Sequence, residues 1–253
     1  MLADTWHLFN KYMRISIRMP LWSLFSLIQP LIWLIIFGQL FSNMANIPGF
    51  PTQNYTDFFL PGVIIMTVLF GSSWSGVSLL REITAGTVDK MLVSPVSRIS
   101  IVLSRLLHSA AQVIVQVIII LIIAAFMGAQ LNYSPVGILL ALFAVLLLAL
   151  SFAALSNGFA ILLQREEPLV IIGNMMTLPL MFFSTALVPI AFMPEWIQYI
   201  SVINPINYAV EAVRAVLVGE YDFAAFQKGI VVLLVFTAAT MFWAIRAFSA
   251  LRD

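Results

Sequence analysis

The chain has 253 residues, 62% hydrophobic and 9% charged, with a net charge of +1 and no cysteine. Its mean hydropathy of +1.05 excludes an ordinary soluble domain, which carries roughly a quarter charged residues, and equally a disordered chain, which is poor in apolar ones. Near-zero charge argues against a nucleic-acid partner, and without cysteine there are no disulfides, thiolate metal sites or cysteine nucleophiles.

Residues 1–20 read as an amphipathic helix. At the helical period Leu2, Trp6, Phe9, Met13 and Ile17 share one face, while His7, Lys11, Arg14 and Arg18 cluster elsewhere. That is the pattern of a helix lying in the membrane interface with its basic side towards anionic headgroups. A cluster of charges that only sets topology is the alternative reading. A cleavable signal peptide, with its short apolar run and small-residue cleavage site, is not the pattern here. Pro20 separates this helix from the first apolar segment.

Apolar segments fall at 21–41, 58–80, 101–127, 135–163, 169–189 and 228–250. Spanning takes about 20 mainly apolar residues per helix. Runs such as Leu139 to Leu146 do not alternate, so these are helices and not barrel strands. The expected architecture is all-α and integral to a membrane, one domain over 1–253 with six spans. Ten of the Lys and Arg residues lie on the side of the N-terminal segment and two, Arg214 and Lys228, on the other. The excess of basic residues marks the cytoplasmic face, so both termini are expected there.

Between the second and third spans, 81–98 breaks the apolar pattern. Gly86 permits a change of direction, Thr87 suits a helix cap, and Val88, Met91 and Leu92 project together as an apolar knob before Pro95. A lipid surface or a groove on a soluble partner could each absorb that knob. In span three His108, Gln112 and Gln116 recur at i, i+4 and i+8, with Arg105 near one end. They read either as bonds across to neighbouring helices or as the lining of a substrate path. Asn174, Thr177 and Phe182 in span five join that candidate path, with Pro179 as an expected kink. Glu166 and Glu167, before Pro168, read as a solvated turn.

Between spans five and six the chain is apolar yet interrupted by Pro189, Pro194 and Pro205. Two short helices fit, one opening near Pro194 with the interface residues Trp196 and Tyr199, the other opening at Asn204-Pro205. They are expected to dip into the outer leaflet over 190–218, with Glu211 and Arg214 paired, because an unpaired charge at that depth is expensive. The span centres carry no Asp, Glu or Arg and the chain has no GxxxxGK[ST], HExxH or GxSxG. An ion-coupled carrier, a nucleotide-binding enzyme and a buried hydrolase are therefore disfavoured.

Three pieces together resemble the membrane subunits of type-2 ABC exporters: Pro61-Gly62, the stretch Glu82…Gly86-Thr87…Leu92…Ser94-Pro95-Val96-Ser97-Arg98, and Met193-Pro194-Glu195-Trp196…Asn204-Pro205…Tyr208…Glu211-Ala212…Arg214…Gly219. The resemblance covers nearly the whole chain. It implies a permease that pairs with a second copy or a homologue in the inner membrane and recruits two P-loop ATPase subunits. The permease has no cofactor of its own, ATP and Mg being held by the partner. By the same resemblance 81–98 holds the coupling helix, with Glu82, Gly86, Thr87, Val88, Met91, Leu92, Pro95 and Arg98 at the ATPase contact. Pro194, Trp196, Asn204, Pro205, Glu211 and Arg214 then belong to outer re-entrant helices. The expected cargo is a lipophilic drug or lipid, with polysaccharide or glycoconjugate export and a non-transporting membrane scaffold as alternatives.

Overall fold

A computed structural model describes residues 2–18, 20–88, 93 and 97–249. The described chain is all helical: α1 (Leu2–Arg18), α2 (Pro20–Leu40), α3 (Tyr55–Thr84), α4 (Arg98–Phe126), α5 (Pro135–Leu163), α6 (Glu166–Phe182), α7 (Glu195–Ile203), α8 (Pro205–Leu217) and α9 (Phe223–Ser249). Local chemistry sets several boundaries. Ser134 accepts from the Gly137 amide and Pro135 follows it at the start of α5, since a missing N–H is harmless at a first turn. Ser97 does the same for α4 through the Ser100 amide.

Over the described residues, four helices, α3, α4, α5 and α9, are long and apolar enough to cross a membrane. At 30 residues α3 is about 45 Å long, ample for a hydrocarbon layer of about 30 Å. Of the other two expected spans, α2 runs for 21 residues, Pro20–Leu40, close to the expected 21–41. α6 stops at Phe182 after 17 residues, well before the expected end at 189. The cause lies in the chain beyond it, where Ser184 bonds back to the Met181 carbonyl and Thr185 bonds to Asn207 and Arg214 of α8 instead of continuing the ladder.

α5 sits at the centre, packed by α3, α9, α4 and α8, while α2 and α6 lie against α3, and α1 against α4. One apolar cluster joins these helices at the end carrying loops 41–54 and 127–134, hereafter the far end, and a second fills the end carrying α1. Small residues permit the closest crossings. A Cβ at Gly76 would lie 2.2 Å from the Ser156 carbonyl oxygen, and one at Gly62 would lie 2.3 Å from that of Ala186. The Pro61-Gly62 pair therefore marks where the turn after α6 seats on α3. Gly76→Ala is expected to force α3 from α5 and cost about 1–3 kcal/mol. Gly173→Ala, whose Cβ meets nothing within 4 Å, is expected to be neutral or stabilising by up to about 1 kcal/mol. Thermal denaturation of the detergent-solubilised protein separates the two.

Candidate functional site

At the α1 end a polar cluster ties three helices together. Arg105, 4% exposed on α4, forms an ion pair through Nη2 with Glu82 near the end of α3. The Tyr12 hydroxyl on α1 donates to Glu82 Oε2 at 3.2 Å, and its ring lies 4.9 Å from the Arg105 guanidinium. One helical turn along, Ser16 Oγ meets His108 Nε2 at 2.7 Å. Burial, reinforced by the Glu82 charge and opposed by Arg105, pushes the Tyr12 phenol up to about 12. It therefore stays protonated and keeps donating throughout the physiological pH range. Trp6 and Ile17 on the expected apolar face of α1 are exposed, at 60% and 70%, as suits a helix in an interface. A third face, Thr5, Leu8 and Tyr12, is the one that contacts protein.

Beyond Glu82 the chain turns at Gly86, whose φ of +66° disfavours any side chain, and Thr87 and Val88 resume helical geometry. Val88 corrects an expectation. It does not project as part of a knob but is 2% exposed within the α1-end apolar cluster, alongside Ile101, Leu169 and Phe248. The reversal at Gly86 directs it inward. Met91, Leu92 and Pro95 lie outside the described residues, as does the side chain of Arg98, whose backbone begins α4. Val93 is 87% exposed.

Between α2, α3 and α6 runs a groove of about 370 Å³, lined by Gln29, Phe70, Ser73, Trp74, Val77, Leu169, Val170, Gly173, Asn174, Thr177 and Leu178. Its walls are mainly apolar, with an indole and a few hydrogen-bonding groups, the make-up of a site for an amphipathic molecule. Of the candidate path residues, Asn174 and Thr177 line this groove. His108, Gln112 and Gln116 do not line it. His108 belongs to the α1 cluster, and Gln116 is 2% exposed, packed opposite Gly71 of α3. Phe182 is half exposed beyond the groove. Gln29 and Trp74 went unnoticed in the sequence because, on apolar spans, nothing in their spacing distinguishes a groove from a lipid face.

The far end is a second polar construction. Asn204 donates to the carbonyls of Leu180 and Phe183 at 2.5 and 2.9 Å while its Oδ1 accepts from the Ile206 amide. One side chain thus closes the end of α6 and opens α8, with Pro205 at the first position. Arg214 spends four N–H groups on Glu211 Oε1 (2.7 Å), Thr185 Oγ1 (3.2 Å), the Thr185 carbonyl (2.6 Å) and the Phe58 carbonyl (3.3 Å). Its guanidinium also lies 4.0 Å over the Phe58 ring. Asn207 Oδ1 accepts from the Thr185 amide at 3.0 Å. Irregular backbone needs partners for its polar groups, and Asn204, Asn207 and Arg214 supply them here. Pro194 immediately precedes α7, whose Trp196 and Tyr199 are exposed at 57% and 75%. Asp57, unremarked in the sequence, is 4% exposed in the first turn of α3 and accepts from the Gln130 amide at 2.9 Å.

Among the described residues no group of three or more His, Cys, Asp or Glu could hold a metal ion. What these helices and their internally bonded irregular ends define is a polytopic membrane protein. Residues 3–218 match the family described as ABC-2 type transporter, and the chain belongs to that family; it is an ABC transporter permease. A protein of Cyanophora paradoxa named as a transport permease, ycf38, is 34% identical over 198 residues, covering 78% of this chain and 68% of that protein. Its namesake in Pyropia yezoensis is 36% identical over 199 residues with the same shares covered. The daunorubicin resistance ABC transporter permease protein DrrB1 of Streptomyces coeruleorubidus is 24% identical over 196 residues, covering 78% and 68%.

Proposed function

We propose that this chain is the membrane half of an ATP-driven exporter that moves lipophilic drug-like or lipid molecules outward. Two such halves, identical or homologous, pair in the inner membrane, and two separate P-loop ATPases holding ATP and Mg dock at the α1 end. α2 and α6 complete six spans, both termini face the cytoplasm, and α7 and α8 lie in the outer leaflet. The observation carrying this reading is a family match that runs unbroken through span, loop and re-entrant segments in a chain with no nucleotide-binding motif of its own. A relative named for daunorubicin resistance and the mainly apolar groove favour lipophilic cargo. The exposed face of α2 (Ile28, Ile32, Ile35, Ile36) offers a surface to the second half.

Purification from native membranes tests this. A P-loop ATPase is expected to accompany the chain. Leu92→Asp is expected to insert normally yet lose the ATPase and transport together, because burying a side chain of that size contributes roughly 1.5–3 kcal/mol and a charge reverses the gain. Lys90→Ala is expected to change little. If no ATPase accompanies the parent chain, the scaffold reading takes over; if Leu92→Asp still binds the ATPase and transports, the loop is not the contact.

A further inference from the structure

We propose that the Arg81–Glu166 ion pair is a latch closing the α1 end of the groove, and that α6 swings about its far end when the latch opens. Arg81 Nε and Nη2 meet Glu166 Oε1 and Oε2 at 3.1 and 3.3 Å, a two-pronged contact from the end of α3 to the first turn of α6. The two walls of the groove are held very differently. α3 is fastened to α5, where Gly76 N donates to Ser156 Oγ at 3.0 Å and Asn157 Nδ2 to Ser75 Oγ at 3.0 Å. α6 buries only Leu169, Thr177 and Met181 along its described length. Its far end is pinned by Asn204 through the Leu180 and Phe183 carbonyls. A helix fixed at one end, sparsely packed along its middle and held at the other by one buried side chain, Leu169, and one exposed ion pair can act as a lever.

The ion pair is also of a kind that can be broken repeatedly. Its side chains are 58% and 45% exposed, whereas those of Arg105 and Glu82 are 4% and 19% exposed. Exposed pairs contribute little and are screened by salt. Arg81 and Glu82 are adjacent, and successive helical residues point about 100° apart, so one reaches α6 and the other reaches α1 and α4. A displacement of the end of α3 therefore acts on both ties, and the exposed one yields first. The transport meaning of the latch rests on the exporter reading, but its opening is measurable without transport.

The parent chain contains no cysteine, so Ser73→Cys places a sole thiol on the groove floor. In inside-out vesicles, its labelling by a membrane-impermeant maleimide reports opening. Adding Glu166→Gln is expected to raise the labelling rate about three- to fivefold, and the swap Arg81→Glu/Glu166→Arg to return it to the starting rate. Raising salt from about 0.05 M to about 1 M is expected to accelerate Ser73→Cys alone and leave the Glu166→Gln chain unchanged. Equal rates with and without Glu166→Gln, or a swap that stays fast, overturn the latch. Should Glu166→Gln fail to insert, a salt-independent rate in the Ser73→Cys chain overturns it equally. If the labelling switches as described but the parent chain, without Ser73→Cys, transports nothing, that counts against the exporter reading and leaves the latch standing.

Discussion

Arg105→Leu is expected to cost about 3–5 kcal/mol of folded-state stability, the usual penalty for removing one partner of a buried ion pair. The Glu82 carboxylate, with a side chain 19% exposed, would keep only the Tyr12 hydroxyl and lose its counter-charge in a low-dielectric setting. α1 would suffer too, because its Tyr12 ring lies against the guanidinium. Thermal denaturation in detergent should show the loss, together with faster proteolysis within residues 2–18. Glu82→Gln added to Arg105→Leu should recover much of it, since a neutral amide needs no counter-ion. Without that recovery, the ion pair is not the source of the stability.

Arg214→Met is expected to be similarly severe, at about 3–5 kcal/mol, and felt at the opposite end. Methionine matches the length of the stem but leaves the Phe58 and Thr185 carbonyls without their Arg214 donor and Glu211 with the Thr185 hydroxyl and no counter-charge. Lysine would restore charge but not the planar fork reaching four acceptors, so Arg214→Lys should recover only part. Glu211→Gln should be much milder, since the Glu211 side chain is already 39% exposed. Protease sensitivity of segment 183–194 reads the outcome: if Arg214→Met leaves it as resistant as the parent, the guanidinium is not what holds the turn in place.

The helical course was legible because charge-free apolar runs leave little choice of structure, and the bounds of α5 and the proline-marked start of α8 fell where expected. Pairing of Glu211 with Arg214 was legible for the same reason, three residues being one helical turn. The partners of Glu82 were not. Tyr12 and Arg105 come from helices 70 and 23 residues away in sequence, and the strong amphipathic pattern of α1 drew attention to its lipid face instead of its protein face. Val88 misled because i, i+3, i+4 spacing says which residues share a side, not whether that side turns in or out. The early end of α6 was hidden because Leu180 to Leu187 is as apolar as a span. Only the fold brings Asn204 to the carbonyls that end it.

The junction at Asn204 bears on how long the molecule lasts once made. Asparagine ages by deamidation when the backbone nitrogen of the following residue attacks its side-chain carbonyl and closes a five-membered imide. Here that nitrogen belongs to Pro205, which carries no hydrogen and cannot form the neutral ring. An aspartate in this position would set a negative oxygen against the Leu180 and Phe183 carbonyls that now accept from the amide, driving α6 and α8 apart. The proline that starts α8 thus also shields its neighbour from the faster of the spontaneous routes that would turn a clasp into a repulsion, leaving only slow hydrolysis by water.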